Sequence, residues 1–238
     1  MFTPIGYFAP QGAPFSPDDI SGLQLWYDIA DPACYPGSGT SVTDLKQIRP
    51  SGYRDATING SYSYDATSKS IYIDNGAGGG SNIELSSNSS YPFSTSYAYS
   101  ISVWVKIVSF VSGYARIWRT GTTGNSNYLT LGHYLGSSPE RYSIYDGNWN
   151  DSGQNITMNA WTNITVTYSL PTYKIYENGS LIWTNSAGSP DYNEEYLLYL
   201  MGTTNSEGSV GYLGAAYVYD KELNSTEVSD IYNGTNRY

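Results

Sequence analysis

The feature that most restricts how this chain folds is a run of apolar side chains at every second position between residues 99 and 109. Its members are Ile101, Val103, Val105 and Ile107. Successive side chains of an extended strand point to opposite faces, so a period of two predicts a strand with one face on a core. The same period recurs at Ile164, Val166 and Tyr168. We therefore predict two long strands whose apolar faces both pack on the same core.

Shorter apolar segments predict further strands at residues 23–27, 70–74, 197–201 and 212–219. Between residues 173 and 184, two runs rich in strand-forming residues flank Asn178-Gly179. That dipeptide fits a two-residue type I′ turn, because both of its residues tolerate positive φ. This segment predicts a β-hairpin.

A single helix is predicted at the carboxyl end of the chain. Asn224 suits an N-cap and Glu227, three residues later, completes a capping box. Val228, Ile231 and Tyr232 then follow at helical spacing and form an apolar stripe that can pack on a sheet. Asn233-Gly234 predicts where the helix stops.

The composition agrees with an all-β protein. Of 238 residues 26 are tyrosine, and only 13% are charged. Tyr, Thr, Val and Ile favour a pleated, half-buried surface, whereas stretches of the usual helix formers are nearly absent. We predict one domain over residues 18–238, an antiparallel two-sheet β-sandwich with one short C-terminal helix.

Residues 1–17 form a separate segment, predicted to be an extended N-terminal arm. It carries four prolines and no helical or strand periodicity, yet it is rich in apolar side chains. A free tail is normally more polar, so we expect this arm to dock. The expected docking side chains are Phe2, Ile5, Tyr7, Phe8 and Phe15. Docking in trans on an assembly partner and folding back over its own domain are both open.

The net charge of the chain argues against two classes of binding partner. A formal net charge of −10 provides no basic footprint for nucleic acid, and it opposes binding to an anionic membrane. No run of 18 apolar residues predicts membrane insertion, and the opening residues lack the features of a signal peptide. The single cysteine, Cys34, excludes an internal disulfide. We expect a protein made in a cytoplasm and kept there or released without secretion.

An ordered set of segments resembles the laminin-G-like (LamG) branch of the concanavalin A-like lectin/glucanase superfamily. The similar segments are residues 22–45, 55–64, 70–76, 159–168, 173–182 and 210–238. Val42 stands where that branch usually has a second tryptophan, and Gly214 where it often has an acidic residue. The resemblance implies a jelly-roll topology for the predicted sandwich.

The version with a Tyr35-Pro36-Gly37 opening block and this closing helix resembles copies in phage and other viral structural proteins. The resemblance implies a virion surface protein, such as a capsid decoration or tail-fibre component, with a lectin-like face. Its expected partners are other virion proteins, copies of itself and a cell-surface or extracellular glycan. The alternatives are a free-standing, extracellular carbohydrate-binding module and a divergent glycan hydrolase.

The residues argue against catalysis. His133 is the only histidine, and no nucleophile motif lies near it, so we interpret it as a structural side chain. Glycosidases need two carboxylates about 5–10 Å apart. The Glu-x-Asp-x-Glu strand of the glucanase branch is missing, and Glu194 and Glu195 are adjacent and would point to opposite faces of a strand. We expect a protein that is not an enzyme.

A calcium ion is a candidate ligand, although no cofactor is required. The family often holds Ca²⁺ at the loop that Asp74 would enter, and Asp74 and Asn75 offer oxygen ligands. Gly214 removes a common acidic neighbour of that site, and Asp-Asn-Gly is also an ordinary turn sequence. Asp28 and Asp31 are weaker candidates that also suit turn capping.

Glycan binding is predicted in a loop over residues 145–155. Aromatic rings offer flat faces to sugars, and amide and carboxylate groups bond sugar hydroxyls. The candidate side chains are Tyr145, Asp146, Asn148, Trp149, Asn150 and Asp151. The alternative for Trp149 is an aromatic side chain that plugs the loop.

Overall fold

The computed structural model describes residues 15–46, 54–76, 80–85, 98–111, 114–121, 130–133, 139–186, 198–203 and 207–237. Its strands in chain order are β1 Leu23–Asp28, β2 Ser41–Val42, β3 Ala56–Asn59, β4 Ser61–Asp65, β5 Ser70–Asp74, β6 Asn82–Leu85, β7 Ala98–Phe110, β8 Arg116–Thr120, β9 Thr130–Gly132, β10 Arg141–Tyr145, β11 Trp149–Asn155, β12 Thr162–Ser169, β13 Thr172–Glu177, β14 Ser180–Asn185, β15 Leu198–Leu200 and β16 Ser209–Tyr219. A 3-10 helix, Pro17–Asp19, precedes them, and one α-helix, α1 Ser225–Thr235, follows.

The strands form two antiparallel sheets of eight strands each, which confirms the predicted jelly-roll sandwich. The first sheet has the order β14-β13-β12-β7-β16-β5-β4, and β1 also pairs with β16. The second sheet has the order β11-β10-β9-β8-β15-β6-β3-β2. Some neighbouring strands, such as β7 and β16 or β8 and β15, come from distant parts of the sequence, so their register positions side chains that no local motif connects.

The core lies between the two sheets and includes the predicted alternating residues. Ile101, Val103, Val105, Ile164 and Val166 are each at most 1% exposed and belong to one apolar cluster. β7 and β12 pair directly, with Val103 opposite Ile164. The predicted register of these strands is therefore correct.

The middle of the outer face of β7 and β12 is also buried, although a period of two predicts exposure there. Asn163 Nδ2 and Thr165 Oγ1 both donate to Ser102 Oγ, at 3.1 and 2.8 Å. These polar side chains are buried on the outer face of the first sheet. Bonding to one another satisfies them without water, which is how a sheet buries polar residues at low cost.

Helix α1 packs on this outer face and forms a second apolar cluster. Val228 and Ile231 are buried against it, and the rings of Tyr232 and Trp104 stack with centroids 5.7 Å apart. Asn224 caps the helix and Glu227 completes the capping box, as predicted. Within the described part of the chain, no helix combines the length and hydropathy that crossing a membrane requires.

The predicted stop of the helix at Asn233-Gly234 is wrong, because α1 continues to Thr235 and its C-cap is Asn236. The role of Gly234 is to make room for a packing contact and not to end the helix. A Cβ at this position would collide with the ring of Phe15, which lies directly against the glycine. The helix therefore accepts a glycine in its last turn to let Phe15 dock.

Phe15 thus packs on its own domain, although it was expected to belong to a separate arm. Ser16 caps the following 3-10 helix, and Tyr219 Oη donates to Pro17 O at 3.0 Å. The packed domain includes residues from Phe15 onward. The other predicted docking residues, Phe2, Ile5, Tyr7 and Phe8, lie outside the described residues.

The Asn178-Gly179 hairpin has the predicted geometry. Asn178 has φ 50° and Gly179 has φ 77°, as a type I′ turn requires at both central positions. It joins β13 to β14 at the edge of the first sheet.

Candidate functional site

The outer face of the second sheet carries a row of polar and aromatic side chains across six strands. In the strand register, Trp149 lies opposite Tyr145, Tyr145 opposite Thr130, and Thr130 opposite Arg119. Arg119 is followed by Tyr199 and Glu84 on the next strands. Their sequence neighbours Ile144, Trp118, Leu198 and Ile83 belong to the core. Alternation therefore turns this row away from the interior.

Trp149 lies at the β11 end of this row, among three contacting side chains. The guanidinium carbon of Arg116 lies 4.6 Å from the centroid of the Trp149 ring system. Tyr145 and Tyr114 flank it, with centroids at 5.3 and 6.3 Å. Trp149 and Tyr145 are half-buried, and Tyr114 is exposed. A guanidinium is attracted to the face of an indole, so this contact favours the observed orientation of the Trp149 ring. Trp149, Tyr145, Tyr114 and Arg116 are called the Trp149 face below.

The charges around the Trp149 face are arranged in pairs. Arg116 and Arg119 approach Glu207 Oε2 at 3.3 and 3.9 Å, and Arg141 pairs with Asp151 at 3.3 Å. The side chain of Arg116 is 2% exposed, whereas those of Arg141 and Asp151 are 41% and 46% exposed. Charge-assisted hydrogen bonds to a ligand are thus available beside the ring, at the Arg141–Asp151 pair.

The opposite end of the row is an amide–carboxylate cluster. Asn59 Nδ2 donates to Asn82 Oδ1 at 3.1 Å and to Glu84 Oε2 at 3.0 Å. Asn59 and Glu84 are half-buried, whereas Thr130, Arg119 and Tyr199 in the middle of the row are buried, so this cluster is separate from the Trp149 face.

The structure separates the six predicted glycan-binding residues into three groups. Tyr145, Trp149 and Asp151 share the outer face, since Asp151 lies two residues beyond Trp149 on β11. Asp146 Oδ1 caps the turn by accepting from Asn148 N at 3.4 Å, and Asn148 is exposed. The third group is Asn150 alone, which faces the other sheet.

Asn150 is held at the edge of the sandwich. Its Oδ1 accepts from Asn185 Nδ2 of β14 at 3.1 Å, and its Nδ2 donates to Asp146 Oδ1 at 3.0 Å. The segment is therefore not the loop predicted from its polar composition. It is a hairpin in which only residues 146–148 turn, and its polarity reflects that β11 is an edge strand with mostly exposed residues.

Sequence reasoning missed Arg116 and Tyr114 as neighbours of Trp149. They precede it by more than 30 positions and lie in a segment with no recognisable motif. Only the pairing of β8, β9, β10 and β11 brings them together, so no local pattern could have indicated them.

His133 lies at the end of β9, as expected for a structural histidine. Its ring stacks on Phe110 with centroids 5.2 Å apart, and the side chain is buried. Burial lowers its pKa below the ordinary value, so the imidazole is neutral at pH 7.

The two residues predicted to hold calcium point in different directions. Asp74 is exposed, and its Oδ1 accepts from Gly76 N at 2.9 Å. Asn75 is buried, and its Nδ2 donates to the carbonyl oxygens of Met201 and Ser209 at 2.9 and 3.1 Å. Among the described residues, no three His, Cys, Asp or Glu side chains gather to hold a metal. Calcium binding at Asp74 stays a prediction that needs ligands beyond this pair.

Asp28 and Asp31 have structural roles that match turn capping. Asp28 Oδ1 accepts from Ala30 N at 2.9 Å, and Asp31 Oδ1 accepts from Ala33 N at 2.8 Å. Asp28 also forms an ion pair with Arg237, whose Nη2 reaches Gly214 O at 3.4 Å. Gly214 lies where the register of β16 shifts against β7.

Two facing eight-stranded sheets with a polar, aromatic outer face define a lectin-type β-sandwich. The sequence profile of the family Laminin_G_3, described as the concanavalin A-like lectin/glucanases superfamily, matches residues 75–229. Because this is well over half of the chain, the protein belongs to the concanavalin A-like lectin/glucanase superfamily. Among curated proteins, none matches the sequence significantly.

Solved structures with the same fold belong to different kinds of protein. Domain 4 of AbnA, an extracellular arabinanase from Geobacillus stearothermophilus solved with arabinotriose, has a TM-score of 0.67 and 16% identity, covering 88% of this chain and 97% of that domain. The binding domain of botulinum neurotoxin DC, in complex with rat synaptotagmin II, has a TM-score of 0.66 and 15% identity, covering 93% of this chain and 53% of its own.

Trypanosoma rangeli sialidase in complex with sialic acid has a TM-score of 0.67 and 15% identity. The alignment covers 92% of this chain and 34% of the sialidase, so this chain spans about a third of that enzyme. At such low identities, these likenesses show the fold alone. They include both glycan-binding domains and parts of glycosidases.

Proposed function

We propose that this protein is a non-catalytic glycan-binding domain and that the Trp149 face is its binding site. The observation that carries the proposal is the half-buried indole of Trp149, which packs on the Arg116 guanidinium. A fixed aromatic ring loses little entropy when it stacks on a sugar, and the Arg141–Asp151 pair beside it offers donors and acceptors to sugar hydroxyls. The arabinanase domain solved with arabinotriose gives a precedent for a glycan on this fold.

The non-catalytic part of the proposal rests on the partners of the acidic residues. On the outer face of the second sheet, Glu207 pairs with Arg116, Asp151 with Arg141, and Glu84 accepts from Asn59. A glycosidase needs one carboxyl group that gives up its proton to the substrate and a second one opposite it. Carboxylates engaged with cations and amides are poor proton donors. Release of reducing ends from a polysaccharide, abolished by Glu207→Gln or Asp151→Asn, would contradict this.

Substitution of Trp149 tests the site. Binding is first surveyed on an array that includes arabinan, sialylated glycans and bacterial polysaccharides, and the strongest ligand is then titrated by calorimetry. We expect Trp149→Ala to weaken binding at least about tenfold. Leu181→Ala is the control, because Leu181 is an exposed apolar residue of the other sheet, 52% exposed. Wild-type affinity in Trp149→Ala, with the domain folded, would show that the face is not the site.

We also propose that the domain is displayed on a virion, made in the host cytoplasm and assembled with other virion proteins and copies of itself. The support is the resemblance of residues 22–45 and 210–238 to phage and viral structural proteins, and the proline-rich, aromatic arm. A free-standing extracellular module is the alternative. Deleting residues 2–14 separates them, because this deletion spares Phe15 and Pro17, which belong to the packed domain.

The deletion is made in the native source, and purified particles are probed for the protein. We expect the shortened chain to fold and bind glycan as before but to be missing from particles. Normal incorporation, or the absence of the intact protein from any particle, would count against the virion setting. Glycan binding is measured separately, so the two parts of the proposal fail independently.

A further inference from the structure

A second aromatic surface lies on the outer face of the first sheet, on the side of the sandwich opposite the Trp149 face. In the register of β5, β16 and β7, Tyr72 is opposite Tyr212 and Tyr212 is opposite Lys106. Trp161 immediately precedes β12, whose first residue, Thr162, is opposite Val105. Tyr72, Tyr212, Lys106 and Trp161 therefore form one line across neighbouring strands, called the Tyr212 row below.

The members of the Tyr212 row touch one another. The ring centroids of Tyr72 and Tyr212 are 4.9 Å apart, and those of Trp161 and Tyr212 are 6.2 Å apart. Lys106 Nζ lies over the ring of Tyr212, 5.5 Å from its centroid. At the usual strand spacing, the row is about 15 Å long, which suits a short oligosaccharide.

The row is next to helix α1 but is not buried beneath it. Trp104, two residues before Lys106 on the same face of β7, is buried under Tyr232 of the helix. All four members of the Tyr212 row are half-buried instead. A contiguous aromatic surface that stays partly accessible is a candidate binding surface.

Lys106 decides the chemistry of the ligand. Among the described residues, no carboxylate lies within ion-pair distance of Lys106. Lys46, Lys174 and Lys221 each pair with an acidic side chain, in a chain whose net charge is −10. An ammonium group held over a tyrosine ring and left without a carboxylate complements a negative charge brought by a ligand.

We propose that the Tyr212 row is a second glycan-binding surface, selective for anionic polysaccharides. Sugar rings stack on Tyr72, Tyr212 and Trp161, and an acidic substituent pairs with Lys106. A carboxylate and a sulfate both fit an ammonium group, so the shared chemistry is an anionic sugar. This surface acts without Trp149, and two surfaces on opposite sides would let one domain bridge two glycan chains.

The experiment uses the full chain with three probes: polygalacturonate for carboxylates, dextran sulfate for sulfates and arabinan as the neutral glycan. Binding is followed by affinity electrophoresis and calorimetry at low and high salt. We expect Lys106→Met to weaken binding of an anionic probe about fivefold and to remove most of its salt dependence. Tyr212→Ala should weaken it further, and Tyr72→Ser, nearer the sheet edge, serves if Tyr212→Ala fails to fold.

Lys69→Met is the matched control, because Lys69 is an exposed lysine in the β4–β5 turn. It should bind the anionic probes like the wild type, and Trp149→Ala should keep the salt-dependent binding that Lys106→Met removes. Three results would each overturn the inference. The first is that neither anionic probe binds at millimolar concentration, and the second is that binding is unchanged both in Lys106→Met and in the tyrosine variant. The third is that only Trp149→Ala loses anionic binding. Failure of the Trp149 site would appear separately, as neutral-glycan binding that Trp149→Ala leaves intact.

Discussion

The Tyr142 hydroxyl on β10 donates a 2.7 Å hydrogen bond to Glu177 Oε2 on β13 and so joins the two sheets. Thr157 Oγ1 donates to the other oxygen of the same carboxylate at 2.7 Å. Burial, with the nearby negative charge of Glu177, raises the pKa of Tyr142 well above its ordinary value, so the phenol stays a donor at any physiological pH. The two sheets are thus fixed to each other by a polar contact as well as by the apolar core.

Removing this hydroxyl should destabilise the domain. Tyr142→Phe deletes the donor but leaves the partly buried carboxylate, so we expect a loss of about 1–3 kcal/mol in the free energy of unfolding. Urea denaturation at pH 7 measures it. Tyr72→Phe, which changes a half-buried tyrosine on the outer face, is the control and should cost much less. Equal effects of the two substitutions would mean that the inter-sheet hydrogen bond contributes nothing specific.

Truncating a side chain in the central core should also lower the free energy of unfolding. Val103 is fully buried between the sheets, and Val103→Ala removes two methyl groups from the apolar core. We expect about 1–3 kcal/mol of lost stability from the transfer and cavity terms. Ser109→Ala, an exposed position on the same strand, should be nearly neutral. A neutral Val103→Ala would mean that the core repacks around the vacancy.

Asp44 predicts a pH dependence of stability. Its Oδ1 accepts from Trp26 N at 2.9 Å and from Lys46 N at 3.0 Å. Burial raises the pKa of this carboxyl above its ordinary value in the folded state. The folded state therefore favours the protonated form, and the associated stability is lost as the pH rises from the unfolded pKa through the higher folded pKa.

Asp44→Asn keeps the Oδ1 acceptor and removes the buried charge. Relative to the wild type, we expect the variant to gain stability as the pH rises above the ordinary carboxyl pKa, with the difference levelling off above the raised pKa of the folded state. Urea unfolding at closely spaced pH values follows this change. The opposite trend, a variant whose relative stability falls toward neutral pH, would show that attraction between Asp44 and Arg54 outweighs burial.

Phe15 and Gly234 should be energetically coupled. Gly234→Ala forces a methyl group toward the Phe15 ring, and we expect a cost of about 1–3 kcal/mol. In a Phe15→Ala background the space exists, so the second substitution should be close to neutral or favourable, since alanine is the better helix former. Thermal unfolding of the four proteins in this cycle gives the coupling. Strict additivity would mean that Phe15 leaves the helix in solution.

Much of this fold could be predicted from patterns that are local in the sequence. Ile101 and Val103 face the core because a strand alternates its side chains, whatever surrounds it. Asn224 and Glu227 cap a helix because their bonds close within three residues. Asn178 and Gly179 turn the chain because they tolerate positive φ.

Only the tertiary structure decided the roles that depend on partners distant in sequence. The polar composition around Trp149 predicts a loop, whereas strand pairing places Tyr145 of β10 and Arg116 of β8 against its ring. The sequence predicts that the helix ends at Gly234. In the structure, the ring of Phe15 occupies the space where a side chain at position 234 would lie. Local patterns fix the backbone and the face on which a side chain lies, whereas the neighbours on that face depend on strand register and on what packs above it.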